Sequence, residues 1–146
     1  MRKIEAQTIK AIRDLFTMAD FAGVYFKKAN MIVEQNHHGI AHTVGYRRII
    51  SARLHGSEIF AIEPDHNRAF YDSCGFETNT TKSRLNVLMS CFSSQCGIYQ
   101  KHFEWYLSDE YARSSDPDNK WNGFCWLPSR IDADSYHWKQ VEMLAK

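Results

Sequence analysis

Residues 47–92 read RRIISARLHGSEIFAIEPDHNRAFYDSCGFETNTTKSRLNVLMSCF, and the fold turns on this stretch. Ile49, Ile50, Ala52 and Leu54 form one apolar run, Ile59 to Ile62 form another, and His55-Gly56-Ser57 lies between the flanking Leu54 and Glu58. Two such runs so close together predict a β-hairpin, with Gly56 supplying the positive φ that a tight turn demands. Glu63-Pro64-Asp65-His66-Asn67 stops the second strand, because proline cannot donate to a ladder and Asp and Asn favour turns. Further on, Leu85, Leu88, Met89 and Phe92 repeat at i, i+3, i+4 and i+7, which predicts a helix over Thr81 to Phe92 with one buried stripe. Thr80 is the expected cap, its hydroxyl accepting from one of the first unpaired backbone N–H groups.

Upstream, Ile4, Ile9, Ala11, Ile12, Leu15 and Phe16 recur at helical spacing and leave Lys3, Lys10, Arg13 and Asp14 on the other side, so residues 4–16 read as an amphipathic helix. Phe21 to Val33 reads as two short strands around a Lys27-Lys28 break, and Glu34 to Gly39 as a turn. Downstream, Gly97 to Leu107 reads as one strand with Tyr99, Phe103, Trp105 and Leu107 on one face, although a tight hairpin or an aromatic helix also fits the composition. Ser108 to Lys120 is polar and reads as a long loop, Trp121 to Pro128 as an irregular aromatic patch, and Asp134 as the cap of a last helix bearing Trp138, Val141 and Leu144. The expected architecture is α+β: an N-terminal helix, a small, mostly antiparallel sheet, one helix packed across it, and an aromatic C-terminal tail with a final helix. Residues 1–146 form a single domain, with 108–146 as a C-terminal extension.

Length and composition agree with one core. The chain has 146 residues, 44% hydrophobic and 24% charged, enough to bury a core without staples. Aromatic residues make up 14%, so rings build either the core or a partner surface. Three prolines and seven glycines argue against long disorder. Eighteen Lys and Arg against seventeen Asp and Glu leave +1, so a nucleic-acid surface would have to be a local patch. The opening MRKIEAQT lacks the apolar core of a signal peptide, and Cys74, Cys91, Cys96 and Cys125 accordingly read as reduced intracellular thiols. No apolar run approaches the roughly 20 residues that span a bilayer, so a soluble protein without membrane partners is expected.

Catalytic signatures are missing. There is no G-x-S-x-G elbow, no H-E-x-x-H, no phosphate-binding G-x-x-x-x-G-K-[ST] and no G-x-G-x-x-G after a strand, which points away from an enzyme and from a cofactor. His37, His38 and His42 read as loop histidines, because a zinc site wants three or four ligands with an ordered second shell. Cys91, Cys96 and His102 match no common zinc spacing and read as buried thiols with a neighbouring histidine, while Asp65-His66 reads as part of a turn. Two binding surfaces remain. One is basic: Thr80, Thr81, Lys82 and Arg84 at the start of the helix would attract anions, and Arg47, Arg48 and Arg53 of the hairpin would extend that patch far enough to track a nucleic-acid backbone. The other is aromatic: Trp105, Tyr106, Trp121 and Trp126, with Tyr111, Phe124 and Trp138 nearby, supply the rings that protein-binding hot spots use.

Leu54-His55-Gly56 before an apolar strand, the heptad Thr80-Thr81-Lys82-Ser83-Arg84-Leu85-Asn86, and then Tyr99-Gln100-Lys101 and Trp105-Tyr106-Leu107 resemble a family of small uncharacterised proteins from tailed bacteriophages. The resemblance covers residues 47–107 together with Lys3-Ile4 and Thr8 to Ile12, and finds no counterpart for residues 108–146. It implies a phage accessory product acting in the host bacterial cytoplasm and carries no catalytic residues with it. Together with the missing catalytic motifs and the ring-rich tail, it leads to the expectation of stoichiometric binding to a bacterial host protein, as an inhibitor of host metabolism or of an anti-phage defence system. The alternative is a nucleic-acid-binding protein using the basic patch.

Overall fold

The computed structural model describes residues 1–108 and 119–146. Along the chain run α1 (Lys3–Phe16), β1 (Gly23–Lys28), β2 (Met31–His38), β3 (Arg47–Leu54), β4 (Ser57–Glu63), β5 (Arg68–Asp72), α2 (Asn79–Phe92), β6 (Gly97–Lys101), β7 (Glu104–Ser108), β8 (Phe124–Pro128) and α3 (Tyr136–Leu144). One antiparallel sheet has the order β1-β2-β3-β4-β5-β8, and β6 and β7 make a separate pair. The α+β expectation holds.

Strand alternation explains how the layers form. Met31, Val33, Ile50, Ala52, Phe60, Ile62, Ala69 and Tyr71 are fully buried on one face of the sheet, where α1 and α2 pack. From the helices, Ile9, Ile12 and Leu15 of α1 and Leu85, Leu88, Met89 and Phe92 of α2 meet that face, each at most 2% exposed. Phe92 lies at the centre, its ring 5.3 Å from Phe60, 6.1 Å from Phe16 and 5.5 Å from Trp138 of α3, edge-on to the last. Burying a ring of that size stabilises the fold by about 1.5–3 kcal/mol. The expected hairpin is β3–β4, and its turn residues His55 and Gly56 both have positive φ (51° and 83°), the signature of a type I′ turn whose twist matches that of the strands.

Five local expectations are corrected. The break between the first two strands falls at Ala29-Asn30, after the two lysines. Residues 34–38 continue β2 instead of turning, because Gln35, fully buried, spends its amide on the carbonyls of Met18 (2.9 Å) and Phe21 (2.7 Å) and so can occupy an inward position. The cap of α2 is Thr78, not Thr80: its hydroxyl accepts from Thr81 N at 3.2 Å, while Thr80 is exposed inside the first turn. Likewise Ser135, not Asp134, caps α3, accepting from Trp138 N. Residues 97–107 are not one strand but the β6–β7 hairpin, and the two-residue turn at His102-Phe103 resets the alternation, placing Tyr99 and Trp105 on opposite faces.

Of the expected aromatic patch at residues 121–128, Phe124–Pro128 form β8, paired with β5 from Asp72↔Phe124 to Arg68↔Pro128. Trp121 and Trp138 enter the core at 6% and 2% exposure, with their indole N–H groups donating to Ser73 Oγ and Cys91 O, both at 3.1 Å. Residues 119–146 therefore complete the sheet and the core. Most of the expected long loop, residues 109–118 including Tyr111, lies outside the described residues.

The capping geometry makes a sharp prediction. Thr78→Ala should lower stability by about 1 kcal/mol, whereas Thr80→Ala should stay within about 0.5 kcal/mol of the parent. Urea denaturation of both variants checks it, and equal effects would contradict this cap assignment.

Candidate functional site: the uncovered face of the sheet

The expected basic patch does not assemble at one place. Arg84 is 5% exposed, and its Nη1 donates to Glu5 Oε2 at 2.8 Å. That carboxylate also accepts from Ser83 Oγ at 2.7 Å and from Arg2 N at 2.7 Å. Burial alone would raise the Glu5 pKa, but these donors and the Arg84 charge outweigh it and hold the carboxyl below its ordinary range. Arg48 is also buried, on the helix-covered face, where its Nη1 reaches Leu15 O and Phe16 O at the end of α1, both at 3.4 Å, with Asp65 beside its Nε at 3.4 Å. A cation at a helix C-terminus is electrostatically favoured, so this arginine closes α1.

Arg47 and Arg53 alternate with Arg48 along β3 and so point to the opposite face, away from α2. Arg47 pairs with Glu63 at 2.5 Å and Arg53 with Glu34 at 2.7 Å. Thr81 is buried, and Lys82 bonds Gln100 at 3.3 Å. Thr80 is left facing solvent at the helix start.

The aromatic group divides as well. Trp105 (5% exposed) and Trp121 (6%) belong to the core, and Tyr106 stacks on Tyr99 at 5.5 Å on the outer face of the β6–β7 hairpin. Trp126 is 47% exposed and Phe124 52%. Both project from β8 on the sheet face that no described helix covers, and Phe70 of β5 lies between them, 5.0 Å from Trp126 and 5.9 Å from Phe124.

Next to these rings runs a neutralised charge row. Glu63, 1% exposed, accepts from Arg47 and, through its other oxygen, from Arg68, and the two guanidinium groups hold its carboxyl below the usual range against the effect of burial. The Arg68 guanidinium also lies over the Trp126 ring at 4.7 Å from its centroid, a cation–π contact. Ser51 donates to Glu58 at 2.5 Å beside the Arg53–Glu34 pair. The face is thus a ring cluster bordered by satisfied ion pairs. Arg68, Glu63 and Phe70 were missed as site residues, and the only signal for Phe70 was its place in the short apolar run Ala69-Phe70-Tyr71.

The chemistry on hand elsewhere is limited. A pocket of about 420 Å³ between the β3–β4 turn and the start of α2 is lined by Leu54, Ile59, Phe76 and Cys74 among others. The Cys74 thiol donates to Glu58 O at 3.1 Å, and burial with Asp72 nearby pushes its pKa up, the reverse of what a nucleophile needs. Burial pushes the Cys91 and Cys125 thiols up to about 12. His37 lies in β2 and not in a loop, its Nε2 donating to Ala19 O at 2.7 Å, and among the described residues no three potential ligands converge on a metal position. No described helix is long and apolar enough to cross a membrane.

Two buried carboxylates with lowered pKa values, Glu5 and Glu63, shape the acid limb of stability. Each contributes stability above the ordinary carboxylate pKa, and that contribution is lost as the pH falls through the lowered folded-state value. Glu5→Gln should therefore cost about 3–5 kcal/mol at neutral pH, by leaving the Arg84 charge buried without its partner, and should flatten the fall in stability on acidification. Urea midpoints from pH 7 to pH 3 check both, and a parallel-shifted profile would contradict the role given to Glu5.

Comparison with known proteins adds the context. No curated protein and no solved structure matches the chain. The model of one phage protein family, described as Kyanoviridae Gp96 protein, matches residues 1–126. This span exceeds the resemblance read from the sequence and takes in α1, the six strands of the main sheet as far as Trp126, α2 and the β6–β7 hairpin. The chain belongs to the Kyanoviridae Gp96 family.

Proposed function

We propose that this phage protein is an accessory factor that binds a bacterial host protein stoichiometrically, through the uncovered face of its six-stranded sheet. The observation that carries the reading is the juxtaposition of the half-exposed Phe124 and Trp126 with Phe70 on one sheet face, beside a cluster in which the single Glu63 carboxylate holds both Arg47 and Arg68. A partner covering this face would desolvate rings and satisfied ion pairs rather than lone charges, which is the arrangement of a hot spot with a polar rim. The site acts within the host cytoplasm, and inhibition of a host metabolic enzyme or of an anti-phage defence protein is the outcome such a contact serves.

Nucleic-acid binding receives less support from the same face. Lys27, Arg47, Arg53 and Arg68 share it with Glu34, Glu58, Glu63 and Asp72, so among the described residues the face has no excess of the phosphate-neutralising charge that drives such binding.

The tagged chain, purified from infected cells, should retain one host protein in stoichiometric amount. Trp126→Ala together with Phe124→Ala should weaken that retention by about 30-fold or more, the effect of losing a hot spot worth about 2 kcal/mol. Unchanged retention by the double variant would remove the sheet face from the account. Duplex or single-stranded nucleic acid bound with a log–log salt slope of about −3 to −5 would favour the alternative.

A further inference from the structure

We propose that Phe103, at the tip of the β6–β7 hairpin, is a second anchor, built to enter an apolar cleft with an acidic rim on a protein partner. The proposal takes from the preceding reading only the class of partner, because the hairpin packs on α2, on the helix side of the sheet, and shares no residue with the ring cluster.

A single exposed apolar side chain is ordinary on a protein surface. What sets Phe103 apart is its backbone. His102 and Phe103 have φ of 52° and 66°, so this turn has the same two-residue, left-handed form as His55-Gly56, but with a bulky aromatic residue where the other turn has glycine. Left-handed backbone is an outlier for a large side chain, and such strain persists only where the surroundings enforce it. Nothing packs on the ring in return, since Phe103 is 94% exposed.

The arm beneath it is fixed. The Asn86 side chain of α2 acts like a neighbouring strand, accepting from Ile98 N at 2.6 Å and donating to Ile98 O at 3.0 Å. Ile98 and Trp105 are each 5% exposed, and Tyr99 and Tyr106 stack across the two strands. The backbone that carries the ring is therefore held in place, which reduces the entropy lost on docking. Around the tip, among the described residues, Lys101 and Lys120 are exposed and Glu104 is held by Lys120 at 2.9 Å, which leaves Lys101 without an acidic partner in that set. An acidic rim complements it.

The test places p-benzoylphenylalanine at position 103 or, separately, at position 126 of the full chain in infected cells, with photocrosslinking and melting curves on matched variants. Position 103 should crosslink to one bacterial protein. Excess wild-type chain should suppress that product, and so should Phe103→Trp, whereas Phe103→Gly and Phe103→Asn, both at ease in left-handed backbone, should need about 30-fold more. The same two variants should melt higher than wild type by about 2–4 °C, since relief of strain favours the folded state.

A lower melting temperature in both would show that Phe103 is a structural residue and would overturn the proposal. A crosslink from position 126 with none from 103 would overturn it while sparing the sheet face, and no crosslink from either would overturn both. Co-sedimentation of wild type, but not Phe103→Gly, with phosphatidylserine vesicles would assign the tip to a membrane and also overturn it.

Discussion

The buried pair of Glu5 and Arg84 joins two helices whose partnered residues lie 79 positions apart in the chain. Neither charge tolerates that depth alone, and removing one would leave the other desolvated. Glu5 also closes the first turn of α1 by accepting from Arg2 N, and it accepts the hydroxyl of Ser83 in α2. One carboxylate thus sets where α1 starts and which side of α2 it meets. A pair of this kind is poor as a source of net stability, but it discriminates strongly against any packing in which the helices slide or rotate.

That constraint has a consequence on the other side of the molecule. With α1 over β1, β2 and β3, α2 locked to it over β4 and β5, and α3 closing on α1 and on Phe92, the helices occupy one face of the sheet. The remaining face has to be compatible with water on its own. It manages this with paired charges: Arg47 and Arg68 on Glu63, Arg53 on Glu34, and Ser51 on Glu58. The rings at its β5–β8 edge are the part such pairing leaves over, and the functional reading rests on them.

The readability of each element followed the range of the interactions that create it. The β3–β4 hairpin and α2 were legible because Gly56 and the Leu85, Leu88, Met89, Phe92 stripe act over a few residues. The β6–β7 hairpin was one alternative for residues 97–107 but could not be preferred to a single strand, because His102-Phe103 carries none of the Asn-Gly chemistry that marks a type I′ turn. Strand β8 hid because its partner is remote, as the contact of Ser73 with Gly123 across 50 residues shows. The arginines looked like a patch because their composition was visible while the carboxylates that consume them, above all Glu5 and Glu63, were brought in by the fold. Trp105 and Trp121 looked like surface rings for the converse reason: nothing local reveals that Ser73 and the core wait for them.

The claim on which everything else depends is that one sheet face stays open and bears Trp126. The chain has four tryptophans, of which Trp105, Trp121 and Trp138 are each at most 6% exposed and Trp126 is 47% exposed. Acrylamide quenching of tryptophan fluorescence reads this difference directly. A single quenchable component that disappears in Trp126→Phe, with the residual emission nearly resistant to quencher, is the predicted result. Quenching that survives the substitution, or a wild-type protein in which all tryptophan emission resists acrylamide, would contradict the open face.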